Sequence, residues 1–115
     1  MDASILERLR ASLTKERADL VEQLNDMGVS AETGTPTEDA FDHNFADSGQ
    51  ATAEKAQMLS IAEGLFETLK EVDAALERMD DGTYGTCISC GSEIPAERLD
   101  ARPYASECMA CKQRG

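Results

Sequence analysis

The residues best suited to chemistry are four cysteines near the carboxyl end of the chain. Two pairs, each with a gap of two residues, are separated by 17 residues: Cys87, Cys90, Cys108 and Cys111. A two-residue gap lets one tight turn direct two thiolates at one metal, and Gly91 suits the unusual backbone angle of such a turn. The spacing predicts one structural Zn²⁺ bound by four thiolates, which leaves no coordination position for a substrate.

Two other uses of the cysteines stay open, namely two disulfides or a thiol switch that releases zinc on oxidation. Disulfides are disfavoured because residues 1–5 lack the basic and apolar segments of a signal peptide, so we expect a cytoplasmic protein with reduced thiols. No apolar run reaches the roughly 18–20 residues that a membrane span needs. We therefore expect no membrane association.

The charge of the chain argues against nucleic acid as a partner. Lys and Arg total 11 against 23 Asp and Glu, for a net charge of −12, whereas phosphate binding needs clustered basic residues. Residues 81–115 hold four basic and five acidic residues, so we expect no sequence-specific DNA binding. The only histidine is His43, and no nucleophile–base pair or phosphate-binding loop accompanies it. We expect no enzymatic activity.

Two amphipathic helices are predicted to carry the cysteine module. The second, within residues 47–80, has a seven-residue apolar repeat formed by Met58, Ala62, Leu65, Leu69, Val72, Leu76 and Met79, which is typical of a coiled coil. The first, within residues 2–27, has its own apolar stripe of Ile5, Leu6, Leu9, Leu13, Leu20, Leu24 and Met27. Ser4 and Glu7 predict a capping box at its start, and Gly28 predicts its end.

This pattern predicts an all-α dominated fold, an antiparallel coiled-coil hairpin with a small four-cysteine zinc module. The hairpin covers residues 1–80, with an acidic tip loop at about 28–50, and the module covers 81–115. A monomer is favoured because the first helix supplies a complementary stripe, although an intermolecular coiled coil stays open. The module has too few apolar residues to fold without a metal.

The cysteine module resembles the DksA/TraR family. The resemblance rests on Tyr84–Ile94, which reads YGTCISCGSEI, and on Arg98–Cys111, which reads RLDARPYASECMAC. It extends over about residues 40–112. It implies a protein that binds RNA polymerase directly and inserts its coiled-coil tip into the secondary channel to modulate initiation.

The family's tip motif, Asp-x-x-Asp-x-Ala, falls on residues 44–49 of this chain. Its second acid is present as Asp47, whereas Asn44 replaces the first acid and Gly49 replaces the alanine. The resemblance assigns Asp47 to the polymerase-facing tip, supported by Asn44 and Gly49. A purely structural role for Asp47, as the N-cap of the second helix, is the alternative.

The resemblance also indicates a second contact region. Arg102 and Lys112 are similar to basic residues with which family members contact polymerase or the alarmone ppGpp, and Glu71 stands where the family has a basic residue. Two other functions stay open: a zinc-stapled coiled-coil adaptor that binds some other protein, and a thiol redox sensor.

Overall fold

The computed structural model describes residues 2–36 and 49–114. In these two ranges the chain forms four helices: α1 (Ala3–Asp26), α2 (Gly49–Asp81), α3 (Ala96–Ala101) and α4 (Met109–Arg114). The described residues contain two isolated antiparallel bridges, and they form no β-strand beyond these bridges. None of the described helices combines the length and hydropathy of a membrane-crossing segment.

The ends of the long helices follow from short polar residues and glycine. The side chain of Asp2 accepts a hydrogen bond from the Ser4 N–H over 3.2 Å, so Asp2 caps α1 and the predicted Ser4–Glu7 capping box is wrong. The reason is that Ser4 already lies inside the first turn. Gly28 has a φ of 73°, which confirms the predicted glycine stop after α1. Gly82, with a φ of 80°, follows the end of α2 in the same way.

The apolar repeat of α2 is only partly buried. Ala62, Leu69 and Val72 are less than 3% exposed, whereas Leu65 and Leu76 are half-buried. Ala75, which the repeat does not include, is fully buried. An undistorted helix has 3.6 residues per turn rather than 3.5, so the buried stripe drifts away from a strict seven-residue repeat.

The chain forms two compact units, and each long helix contributes to both. Unit 1 comprises Met1–Arg17 and Lys70–Gly115, and unit 2 comprises Ala18–Leu69. Unit 1 therefore joins the cysteine module to the adjoining parts of α1 and α2. The domain boundary at residues 80–81 stays a prediction.

In unit 1 the two long helices are antiparallel. Arg10 pairs with Asp80 over 3.1 Å, and Arg17 pairs with Asp73 over 2.6 Å. The second pair lies seven residues further along α1 and seven residues earlier along α2, as expected for antiparallel helices. This pairing, beside the cysteine module, confirms the predicted fold class.

In unit 2 the end of α1 leads into an ordered turn. Val29 is 2% exposed, its N–H donates to the Leu24 carbonyl over 2.9 Å, and it bridges to Pro36. The sequence predicts only an acidic loop here, because residues 28–36 have no apolar period. The turn is instead closed by backbone hydrogen bonds.

Candidate metal centre and its surroundings

The first pair of cysteines lies on a tight turn formed by residues 85–93. The Cys87 N–H donates to the Ser92 carbonyl over 2.7 Å, and the Gly91 N–H donates to the Cys87 carbonyl over 3.0 Å. Gly91 has a φ of 77°, which confirms the unusual backbone angle that the sequence predicts there. The turn brings the sulfurs of Cys87 and Cys90 to one site.

The second pair lies at the start of α4. The Lys112 N–H donates to the Cys108 carbonyl over 3.0 Å, and the Ile88 N–H donates to the Ser106 carbonyl over 2.9 Å. The second bond joins the two cysteine pairs through the backbone. As a result, the sulfurs of Cys90 and Cys108 lie 3.7 Å apart.

The four sulfurs fit a tetrahedral zinc site. All four lie within 4.8 Å of one another. Four Zn–S bonds of about 2.3 Å in a tetrahedron place sulfurs about 3.8 Å apart, close to the distance between Cys90 and Cys108. An all-thiolate donor set selects zinc over magnesium or calcium. The predicted cofactor, one structural Zn²⁺, is confirmed.

Local hydrogen bonds favour the thiolate form that zinc needs. The Cys108 N–H is the largest cause lowering the pKa of Cys87 to about 6, with further donation from Cys90 and Ser89. The Ser92 hydroxyl is the largest cause lowering the pKa of Cys90. Donors aimed at sulfur stabilise its negative charge, so the site is prepared for a cation before it binds one.

A small core and one long-range ion pair support the cysteine module. Ile94, Leu99 and Ala105 are at most 5% exposed. Arg8 of α1 pairs with Asp100 of α3 over 2.7 Å, although both side chains are about half exposed. Exposed ion pairs add little stability, so the small core and the metal provide most of the stability of the module.

A polar contact beneath the module was not predictable from the sequence. The Tyr84 hydroxyl donates to the Pro103 carbonyl over 2.7 Å. Burial raises the pKa of Tyr84 to about 12, and burial also lowers the pKa of the neighbouring Arg78. The hydroxyl is therefore held neutral. Its bond fixes the chain just after α3, and Tyr84 was notable in the sequence only as part of the family resemblance.

The structure brings Arg102 and Lys112 to one open depression of about 260 Å³. Arg98 and Glu71 also line it. The Arg102 guanidinium lies 5.6 Å from the centre of the Tyr104 ring, a cation–π distance. Three basic side chains and two carboxylates, those of Glu71 and Glu107, thus line the depression, which is too open to enclose a small molecule.

The tip residues are only partly described. Asp47 and Asn44 lie outside the described residues, and Gly49 is the first residue of α2. Their assignment to a polymerase-facing tip stays a prediction.

Comparison with known sequences places the cysteine module and the whole chain among related proteins. The sequence profile of the prokaryotic dksA/traR C4-type zinc finger matches residues 82–114. An uncharacterized protein of Aquifex aeolicus is 32% identical over 98% of this chain and 77% of its own length. General stress protein 16O of Bacillus subtilis is 40% identical over 82% of this chain and 65% of its own length. The RNA polymerase-binding transcription factor DksA of Escherichia coli is 43% identical over 44 residues, 38% of this chain and 29% of that protein.

Two solved structures resemble the fold. Transcription factor DksA2 from Pseudomonas aeruginosa superposes with a TM-score of 0.76 at 26% identity, over 99% of this chain and 84% of that one. The RNA polymerase binding protein and transcriptional regulator Dks from Chlamydia trachomatis superposes with a TM-score of 0.59 at 20% identity, over 99% and 89% of the two chains. The second likeness concerns the fold alone.

Proposed function

This chain belongs to the family of prokaryotic dksA/traR C4-type zinc-finger proteins, and we propose that it regulates transcription by binding RNA polymerase directly. The single observation that carries the proposal is the superposition on transcription factor DksA2, which includes nearly the whole chain. The relatives named as RNA polymerase-binding transcription factors match over 44 residues. The chemistry of the metal centre agrees, because four thiolates saturate zinc and leave it no catalytic position.

The proposed mechanism places the hairpin tip in the secondary channel of the polymerase. Asp47 is the effector group, and it lies two residues before α2 begins at Gly49. A carboxylate there meets positively charged groups or the metal-bound region of the channel and alters initiation without forming a bond. Asn44 is uncharged, so Asp47 is the only carboxylate that this chain retains at the two acidic positions of the motif.

The depression lined by Arg102 and Lys112 is a second proposed contact. Arg98 adds a third positive charge there, while Glu71 and Glu107 add two negative ones. A polyphosphate such as ppGpp would meet the Glu71 carboxylate, and like charges repel. We therefore assign Arg102 and Lys112 to polymerase contact in the first place, with ppGpp as the weaker ligand.

Promoter-specific transcription by purified polymerase tests the mechanism. The zinc-loaded chain is compared with Asp47→Ala and with Asp42→Ala, which removes a carboxylate from the same segment. We expect the wild-type chain and Asp42→Ala to change promoter output, and Asp47→Ala to bind polymerase without changing it. An adaptor that merely docks through its helices would tolerate Asp47→Ala, and equal output from all three proteins would reject the tip mechanism.

A further inference from the structure

The turn of residues 28–36 has the same backbone arrangement as the turn of residues 85–93, the zinc knuckle that carries Cys87 and Cys90. An antiparallel bridge joins Val29 to Pro36, and an equivalent bridge of the same span joins Thr86 to Glu93. In each turn, one positive-φ glycine lies one residue before the first bridge residue, and a second lies five residues after it. They are Gly28 and Gly34 in one turn, and Gly85 and Gly91 in the other.

The hydrogen bonds that close the turn also match those of the knuckle. The Ser30 N–H donates to the Thr35 carbonyl over 2.8 Å, and the Gly34 N–H donates to the Ser30 carbonyl over 2.8 Å. The knuckle has the same two bonds at the same offsets, from Cys87 and Gly91. The correspondence places Ser30 at the position of Cys87 and Thr33 at that of Cys90.

Hydroxyls replace the thiolates at both ligand positions. The Ser30 Oγ accepts from the Glu32 N–H over 3.2 Å, and the Thr33 Oγ1 accepts from the Thr35 N–H over 3.3 Å. Thr33 and Thr35 also share a hydroxyl hydrogen bond of 2.7 Å. Alcohol side chains keep their protons at neutral pH, so the two positions that correspond to Cys87 and Cys90 lack the anionic thiolates that hold zinc.

Phe66 of α2 packs against this turn. A Cβ atom added to Gly34 would lie 2.5, 2.7 and 2.8 Å from three ring atoms of Phe66. The ring therefore lies directly against the backbone of Gly34, whose φ of 73° already requires glycine. At the equivalent position of the knuckle, a Cβ added to Gly91 would meet nothing within 4 Å.

From these contacts we infer that residues 28–36 are a metal-independent knuckle, anchored by Phe66, that positions the tip segment. The turn fixes the chain from the end of α1 as far as Pro36, which is 11 residues before Asp47 in the sequence. The role in positioning Asp47 rests on the proposed function, whereas the anchoring by Phe66 does not.

Amide hydrogen exchange of the zinc-loaded full chain tests the anchoring. Phe66→Ala is expected to reduce protection of the Ser30 and Gly34 amides at least tenfold while leaving the Cys87 and Gly91 amides unchanged. Ile61→Ala, which removes a side chain that is 53% exposed from the same helix, is expected to change neither pair. Unchanged protection of Ser30 and Gly34 in Phe66→Ala would overturn the inference.

A double-mutant cycle separates contact from general destabilisation. Gly34→Ala brings a methyl group against Phe66, and the clash disappears in Gly34→Ala/Phe66→Ala. The two substitutions are therefore expected to be non-additive in amide protection. Gly82→Ala has a similar φ but nothing within 4 Å of its Cβ, so it is expected to add independently to Phe66→Ala. Additivity in both cycles would contradict a direct contact.

The positioning role is tested by separating polymerase binding from transcriptional output. Phe66→Ala is expected to bind polymerase within twofold of the wild-type affinity but to lose at least half of the change in promoter output at saturation. A full effect at saturation would overturn the positioning role. If the wild-type chain itself does not bind, the proposed function and this role both fail, while the exchange result still decides whether Phe66 anchors the turn.

Discussion

The two knuckle-shaped turns of this chain share a backbone and differ in what holds them. Residues 85–93 present thiolates to a metal, while residues 28–36 present hydroxyls to their own backbone and lie against Phe66. The glycines and the closing hydrogen bonds are common to both. The difference teaches that the same knuckle backbone is held by a metal in one turn and by packing and hydrogen bonds in the other. A metal is needed where little apolar surface is available, and an aromatic ring serves where a long helix lies alongside.

Zinc removal gives the largest expected difference between the turns. Structural zinc contributes on the order of 10 kcal/mol to small zinc modules, so a chelator should unfold residues 85–93. The turn of residues 28–36 should keep its structure. Amide exchange checks this, with protection lost at Cys87 and Gly91 and retained at Ser30 and Gly34.

Adding Zn²⁺ back is the control. It should restore amide protection at Cys87 and Gly91 and leave that at Ser30 and Gly34 unchanged. Loss of amide protection in both turns on chelation would mean that the turn of residues 28–36 also depends on the metal centre, which would contradict the comparison.

Alanine at the matching glycines gives the next largest difference. Gly91→Ala is expected to cost about 1–2 kcal/mol, because the left-handed backbone strains a side chain. Gly34→Ala should cost about 1–3 kcal/mol more, because its Cβ also meets the Phe66 ring. Denaturant unfolding of the zinc-loaded variants measures both. Equal losses would show that the ring moves aside freely.

Tyr84→Phe tests the polar contact that supports the cysteine module. Loss of the hydrogen bond to Pro103 should cost about 1 kcal/mol near neutral pH. The pKa of Tyr84 is raised to about 12 in the folded chain, whereas an unfolded tyrosine titrates near 10. The unfolded state therefore ionises first, and stability falls as pH rises from about 10 to 12.

The variant has no such ionisation, so its stability deficit should shrink as the pH passes about 10. Thermal unfolding of both proteins between pH 8 and pH 11 measures the change. A deficit that stays constant over this range would contradict a buried, neutral hydroxyl.

The smallest expected effect comes from the ion pairs of unit 1. Arg17 and Asp73 form a short contact of 2.6 Å, but both side chains are nearly half exposed. Arg17→Gln should therefore cost less than about 1 kcal/mol, and less at high salt. Denaturant unfolding at low and high salt measures the cost. A larger, salt-independent loss would show that the pair, rather than the buried leucines, aligns the helices.

The sequence predicted the elements whose signals are local and repetitive. The seven-residue repeat predicted α2, and the spacing of the cysteines predicted the metal centre that the structure assembles. Gly91 was correctly assigned to a knuckle. Each of these depends on spacing along the chain, which the sequence displays directly.

Contacts between distant residues were not predictable in this way. No pattern marks the bond from Tyr84 to Pro103 or the position of Phe66 against Gly34. Ser30 and Thr33 have the same spacing as Cys87 and Cys90. A glycine directly follows the second residue of each pair. That signal was available but was hidden because hydroxyls do not mark a metal site. Ser4 was assigned as a cap because Glu7 follows it three residues later. The Asp2 side chain instead accepts from the Ser4 N–H, the group that the Glu7 side chain would bind in a capping box.

Equilibrium binding to purified core RNA polymerase from the same source tests the central claim most directly. The zinc-loaded chain is titrated at fixed salt, and the zinc-free chain serves as the comparison. We expect saturable binding with a Kd of about 1 µM or tighter, weakened at least tenfold when zinc is removed. No saturable binding by the zinc-loaded chain at micromolar concentrations would contradict the claim that it acts on polymerase.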